Sequence, residues 1–165
     1  MTNTTVDFLS MATPILTAIG VFVAAFTIWN NTENAKKKAT IDLIMAERND
    51  IALQEAITQI NEMAKIKGHI FAVYASDDDK NFENRKHIIK LLNQREFISA
   101  GVIGGALHEK MYKSFSYSMF LRDWNNLKAF IYELRRARNN QTIFQEFEYL
   151  ATKWENTPLK KRKIR

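Results

Sequence analysis

Residues 8–32 contain no charged side chain, and this 25-residue run is the feature that most constrains how the chain can fold. Asp7 precedes the run and Glu33 follows it. A helix needs about 20 mostly apolar residues to cross the hydrocarbon layer of a membrane, and each charge at mid-bilayer would cost about 2.5–3.5 kcal/mol. We therefore predict a transmembrane helix over residues 8–32. A cleaved signal peptide would carry a basic segment and a shorter apolar run, and a buried core helix is the remaining alternative.

The charges that flank the run predict its orientation. Residues 1–7 carry one acid and no base, whereas Lys36, Lys37 and Lys38 follow the run. Because basic residues stay on the cytoplasmic side, we expect residues 1–7 outside and the rest of the chain in the cytoplasm. A single span of this orientation suits the inner membrane of a bacterium. Trp29 lies at the depth expected for an interfacial ring.

The net charge of +6 is concentrated in two short clusters, residues 36–38 and the basic tail 158–165. Between them, residues 39–157 hold 16 basic and 16 acidic side chains and are neutral. Anionic lipid headgroups are the expected partner, because each Lys or Arg near them contributes about 1 kcal/mol. A solvated tail is the alternative, and nucleic acid is not expected because no aromatic residue is interleaved with the tail. The candidate lipid-contacting residues are Trp29, Lys36, Lys37, Lys38, Lys160, Lys161, Arg162, Lys163 and Arg165.

Apolar residues recur at helical spacing through the remaining chain and predict an all-α cytoplasmic domain of about four helices over residues 33–157. The clearest pattern steps by three or four residues from Tyr117 to Leu134. No strong helix breaker lies between Trp29 and Ala39, so the first helix can continue directly from the apolar run. Residues 69–81 predict a helix end followed by a loop. The predicted helices span residues 39–66, 82–103, 107–138 and 141–156.

No residue pattern in the chain predicts an enzyme. There is no cysteine, no phosphate-binding glycine loop, no G-x-S-x-G motif and no histidine pair at zinc-binding spacing. Asp77–Asp79 are contiguous acids followed by Lys80 and lack the glycine of a calcium loop, so we interpret them as a solvated loop. We therefore predict no catalytic residue, no metal site and no cofactor.

The third predicted helix carries a polar pair next to apolar positions. Asn93 and Glu96 are i, i+3 neighbours, and Glu96 interrupts an apolar stripe. A carboxylate that faces a core must find a base or hydrogen-bond donors, which Arg95, Arg122 or the indole nitrogen of Trp124 can supply. The pair is either a polar site inside the bundle or part of a buried network that fixes helix register, and we favour the second interpretation.

The stretch LLNQREFISAGVIGGALHEKMYKSFSYSMFLRDWNNLKAFI, the later TIFQEFEYLATKW and the earlier ATIDLIMAERND resemble the domain-of-unknown-function family numbered 4760. The resemblance covers roughly residues 39–155. It implies a short, single-span bacterial or phage-related protein with a helical cytoplasmic domain, and it implies no reaction or catalytic residues. Six residues match features of this family, and together with Arg122 they form the candidate polar or packing site: Asn93, Glu96, Gly101, Glu109, Tyr112, Arg122 and Trp124.

These features favour a membrane-anchored helical interaction or regulatory module, with a protein partner or a second copy of the chain bound to it. The alternative is a membrane-acting effector or regulator in a phage-conflict or stress-response system. An enzyme that uses Glu96 and Glu109 as its carboxylates is a third, less favoured hypothesis.

Overall fold

The computed structural model describes residues 3–76 and 81–161, with side chains from Thr17 onward. These residues form five α-helices and one short 3-10 helix and contain no β-strand, which confirms the all-α prediction. The α-helices are α1 (Asn3–Asn49), α2 (Ile51–Lys65), α3 (Phe82–Ile103), α4 (Glu109–Arg138) and α5 (Gln145–Asn156), and the 3-10 helix spans Phe71–Ala75.

α1 continues from the apolar run into the body of the protein, as the sequence predicts, but the predicted helix over residues 39–66 is interrupted at Asp50. The carboxylate of Asp50 accepts the backbone N–H of Leu53 at 2.9 Å. An aspartate in this position satisfies a first-turn N–H that has no partner inside the helix. The chain therefore ends one helix and starts another without a glycine or proline.

Backbone conformation explains the other helix ends. α2 ends just before Gly68, which adopts a φ of +80°, and α4 ends at Asn139, which is left-handed with a φ of +48°. Phe144 is also left-handed, with a φ of +57°. Because a left-handed residue does not continue an α-helix, α5 begins at Gln145, four residues later than predicted.

The core lies between α2, α3, α4 and α5 and is rich in aromatic rings. α2 packs on α3, α3 on α5, and α4 on both α5 and the 3-10 helix. The ring centroid of Phe120 lies 4.6 Å from that of Trp154 and 4.9 Å from that of Phe147. The predicted α4 pattern is confirmed, since it is buried from Phe120 to Leu134 and half-buried at Tyr117. Such rings contribute much of the apolar area that stabilises a small domain.

Residues 17–32 of α1 project from this core with their apolar side chains uncovered. Residues 17–32 are all exposed, and the exposed fraction of their large apolar side chains runs from 54% to 77%. Those side chains belong to Ile19, Val21, Phe22, Val23, Phe26, Ile28 and Trp29.

In the part of the chain that the structure describes, no helix combines the length and apolarity needed to cross a membrane. Several predicted features lie outside the residues described in side-chain detail. They are the predicted N-terminal segment 1–7, residues 8–16 of the predicted span, the acidic run Asp77–Asp79, and residues 162–165 of the tail with Arg162, Lys163 and Arg165.

Candidate functional site

Four polar side chains from three helices form a buried network, which we call the ionic brace: Glu47 of α1, Arg95 of α3, and Tyr112 and Asp123 of α4. Arg95 Nη1 lies 2.9 Å from Glu47 Oε1, and Arg95 Nη2 lies 2.9 Å from Asp123 Oδ2. The Tyr112 hydroxyl donates to Glu47 Oε2 at 3.1 Å and accepts from Arg95 Nη1 at 3.3 Å. The brace therefore ties the end of α1 to the two longest helices of the body.

The charges of the ionic brace compensate one another. The Arg95 and Asp123 side chains are only 4% and 1% exposed, so either charge would be costly without the other. Arg122 Nη2 lies 3.4 Å from the second oxygen of Asp123 and adds a second cation to the two carboxylates. Burial disfavours the Arg95 cation, but the surrounding brace residues outweigh burial and raise the pKa of Arg95. Burial raises the pKa of Tyr112, which keeps its hydroxyl a donor.

Glu96 does not take the partners that the sequence suggested. Its two carboxylate oxygens accept the backbone N–H groups of Phe147 at 2.8 Å and Glu146 at 3.3 Å, so it caps the first turn of α5. The expected contacts with Arg95, Arg122 or Trp124 were wrong, because Glu96 faces the start of α5 and not the interior. Burial raises the pKa of the Glu96 carboxyl, although both hydrogen bonds lower it in part.

Glu109 serves the opposite end of α5. Its oxygens lie 2.7 Å from Lys153 Nζ and 3.1 Å from the indole nitrogen of Trp154. Burial tends to raise the pKa of Glu109, but these two donors outweigh burial and hold it below its usual value. Two glutamates on different helices thus fix the two ends of α5.

The other predicted site residues are spread over the molecule. Asn93 is exposed, and Trp124 is buried in the core. Gly101 lies against Leu107, whose Cδ1 would be 2.8 Å from a Cβ at this position. The seven residues therefore do not meet in one site, and whether any of them acts in function stays a prediction.

Glu47 and Asp123 were missed, and Arg95 was expected only as a partner of Glu96, but the sequence contains a signal for Arg95 and Asp123. Arg95 falls on the spacing Ile88, Leu91, Arg95, Ile98 and Val102, which steps by three and four, and all five are buried. Asp123 falls on the matching spacing of α4, three residues after Phe120 and four before Leu127. Opposite charges at core positions of two helices predict a buried pair. Glu47 carries no comparable signal.

Thr40 provides a second attachment of α1 to the body. This side chain is fully buried, and its hydroxyl accepts the backbone N–H of His108 at 2.9 Å while donating to the carbonyl of Lys36 at 2.8 Å. His108 is the N-cap of α4, where its Nδ1 accepts the N–H of Met111 at 3.1 Å. The start of α4 is therefore held against α1, one turn beyond Lys36.

Basic side chains from distant parts of the sequence meet where α1 leaves the body, and we call this region the basic pole. Lys113 of α4 bonds to the carbonyl and hydroxyl oxygens of Thr157, with a hydroxyl distance of 2.9 Å, which places the end of α5 beside the start of α4. The tail begins there, and Lys160 is within about 11 Å of Thr157 by chain length alone. The basic pole comprises Lys36, Lys110 and Lys113, which line one cleft, and Lys153, which is bonded to Glu109 of the same cleft.

A cleft of about 410 Å³ opens in the basic pole between α1 and the start of α4. Three lysines, two glutamates and one histidine line it, and the glutamates are engaged with neighbours. Glu33 lies 3.3 Å from Lys36 Nζ and 3.8 Å from His108 Nε2. The lining residues are Glu33, Lys36, Leu107, His108, Glu109, Lys110 and Lys113.

The fold and these contacts define an all-α protein in which a long helix with an exposed apolar segment is braced against a helical body, with three lysines beside its point of exit. The chain belongs to the family Domain of unknown function (DUF4760), whose model matches residues 14–154. This confirms the family that the sequence resembles. Comparisons with curated proteins and with solved structures give no match.

Proposed function

We propose that the chain is a single-pass, membrane-anchored helical interaction or regulatory module whose body lies in the cytoplasm. The observation that carries the proposal is the basic pole. Lys36 of α1 lies with Lys110 and Lys113 of α4 at the end of the body where an uncovered apolar helix departs. Lys113 is also bonded to Thr157, the residue after which the basic tail begins. An apolar helix followed directly by basic side chains is typical of a protein at the point where it enters an anionic membrane surface.

The apolar helix supports an anchor over residues 8–32. From Thr17 to Thr32 every residue is exposed, and the uncharged stretch extends toward the N-terminus as far as Phe8. An uncovered apolar surface of this extent marks a site that contacts lipid or another protein. Lipid is favoured because the basic pole lies directly next to the helix, with Trp29 at the boundary.

Orientation follows from the position of the lysines. They lie on the C-terminal side of the apolar run, and residues 1–7 contain none. Basic residues near a span stay in the cytoplasm, where the leaflet is anionic. The N-terminus is therefore outside, and the body lies at the inner face of a bacterial membrane.

An exposed apolar patch on the body is the contact surface that we assign to a protein partner or a second copy. We call it the interaction face, and it comprises Ile41, Met45, Phe115 and Met119, whose exposed fractions are 40–52%. Arg48 of α1 covers the Phe115 ring at 4.8 Å from its centroid, so the two helices present these side chains together. Exposed Met and aromatic residues are typical of protein contact surfaces.

Anchoring and orientation are tested by single cysteines, which the chain permits because it contains none. Thr4→Cys should react with a membrane-impermeant maleimide in intact spheroplasts, and Ser118→Cys should react only after the membrane is permeabilised. Each variant is also labelled in detergent, where both must react. Extraction of the chain by alkaline carbonate, or labelling of Ser118→Cys in intact cells, would refute the anchored topology.

The interaction role is tested by a photoreactive phenylalanine analogue placed at Phe115, with the same analogue at exposed Tyr149 as the control. A discrete adduct at position 115 alone is the expected result, and its mass tells a partner from a second copy. The membrane-acting effector becomes the better account if two results occur together. Neither position gives an adduct, and the full-length protein causes dye leakage from vesicles whereas a chain without residues 1–35 does not.

A further inference from the structure

We infer that the cleft between α1 and the start of α4 binds the phosphate group of an anionic phospholipid from the cytoplasmic leaflet. This inference rests on the proposed membrane anchor, and it adds a specific ligand site to what would otherwise be a general attraction to charged lipid. The site is formed by Lys36 of α1 and by Lys110 and Lys113 of α4.

The charge of the cleft favours an anion because its three lysines outnumber its two glutamates and Lys153, which is not in the lining, pairs with one of those glutamates. Glu109 is bonded to Lys153 and to the Trp154 indole, and Glu33 is shared between Lys36 and His108. Lys110 is exposed and forms no ion pair with any described residue. Burial lowers the pKa of Lys113, and a bound phosphate would offset that effect.

Lysine side chains supply the full positive charges of the cleft. The N–H of Met111 is already bonded to the imidazole of His108, which caps the helix. A ligand in the cleft would therefore be held by ammonium groups, which bind phosphate as compact positive charges on flexible stems.

The depth of the cleft identifies the source of the phosphate. At 1.5 Å per residue, Lys36 lies about 6 Å beyond Thr32, the last uncharged residue of the run. The headgroup layer on each side of the hydrocarbon core is about 5–8 Å thick. An anchor over residues 8–32 is about 37 Å long, so the backbone of Lys36 lies about 10 Å beyond a hydrocarbon core of about 30 Å, at the outer edge of the headgroup layer. The flexible stem of a lysine reaches lipid phosphates from there, and the cleft volume of about 410 Å³ admits a headgroup.

The experiment uses the full-length chain in vesicles of phosphatidylcholine with one part in five phosphatidylglycerol. After extraction in mild detergent, mass spectrometry measures the ratio of the two lipids that remain bound. We compare the wild type with a cleft variant, Lys36→Gln with Lys110→Gln, and with a control variant, Lys86→Gln with Lys128→Gln. The control loses the same charge from exposed lysines outside the cleft.

We expect the wild type and the control to retain phosphatidylglycerol preferentially, and the cleft variant to lose about fivefold of that preference for each lysine removed. Equal losses in the two double variants, or no preference in the wild type, would overturn the cleft. Circular dichroism verifies that each variant is folded.

Two further arms separate the outcomes. Flotation with vesicles of pure phosphatidylcholine tests the anchor alone, and all three proteins should float. If none floats, the anchor fails and the cleft inference fails with it, whereas flotation without lipid preference removes only the cleft. Displacement of bound phosphatidylglycerol by excess glycerol 3-phosphate would overturn the lipid assignment in favour of a free phosphate ester.

Discussion

At the scale of single residues, Arg95 shows how one buried charge can organise three helices. Its guanidinium lies between the carboxylates of Glu47 and Asp123, and the Tyr112 hydroxyl closes the network. A buried ion pair adds less net stability than its short distances suggest, because both charges lose their hydration. Removing one partner is different, since the remaining charge stays buried with nothing to balance it.

Arg95→Met should lower the free energy of unfolding by about 3–5 kcal/mol, because it leaves two carboxylates in the brace without their shared cation. Urea titration of the full chain in detergent, followed by fluorescence of the buried Trp124 and Trp154, measures the change. Arg122→Met is the control, and since that side chain is 44% exposed, it should cost at most about 1 kcal/mol. Equal effects of the two substitutions would contradict the assigned role of the brace.

Glu96 should make stability depend on pH in the direction opposite to most carboxylates. Burial raises its pKa in the folded chain, so the folded state holds the proton more tightly than the unfolded state. Its contribution is present below the ordinary glutamate pKa of about 4.3 and is lost as pH rises through the raised value. Glu96→Gln should therefore gain stability relative to wild type between pH 4 and neutrality, as denaturation at several pH values would show.

Glu109→Gln provides the matching control with the opposite sign. The pKa of Glu109 is lowered in the folded chain, despite burial, by its bonds to Lys153 and Trp154. Its contribution is present above about pH 4.3 and is lost as pH falls through the lowered value. The variant should be less stable than wild type at neutral pH and approach it in acid. Parallel profiles for the two variants would contradict this assignment.

At the scale of helices, Thr40 is the contact that holds α1 to the start of α4. Thr40→Val keeps the shape but removes the acceptor for the His108 N–H, which should cost about 1–3 kcal/mol and speed exchange of that amide. Thr58→Val is the control, because the Thr58 hydroxyl is exposed and bonds only to the Gln54 carbonyl of its own helix. Hydrogen exchange by NMR measures both, and equal exchange at His108 in the two variants would refute the role of Thr40.

The sequence predicted helices well where apolar spacing is regular and less well where side chains cap or bend the backbone. The bounds of α3 agree with the prediction, and α4 begins two residues late. The sequence analysis did not predict the helix break at Asp50, because no glycine or proline marks it. Only the hydrogen bond from the Leu53 N–H to the Asp50 carboxylate reveals it. The partners of Glu96 were predicted wrongly for a related reason. Its contact with α5 depends on how two helices pack, and the spacing of residues along one helix does not determine that packing.

At the scale of the whole molecule, the sequence locates the two basic clusters but does not show that the start of the tail lies near the exit of α1. Residues 38 and 160 are more than 120 positions apart. Because α5 runs back along α4, Thr157, the residue before the tail, meets Lys113 near the exit of α1. The family match was predictable from sequence, whereas this convergence is a property of the packing of α4 and α5.

The same packing predicts that the apolar helix and the body behave as one rigid unit. α1 runs without interruption from the apolar run to Asn49, and both Thr40 and Glu47 fasten its second half to α3 and α4. Spin labels on Thr32→Cys and Lys128→Cys, in the full chain reconstituted into vesicles, should give a narrow distance distribution by pulsed electron resonance. Adding Thr40→Val and Glu47→Gln should broaden that distribution while tryptophan fluorescence shows that the core stays folded. A distribution that is already broad in the labelled parent would mean that α1 moves independently of the body, and the bonds of Thr40 and Glu47 would then have no role in orienting the helix.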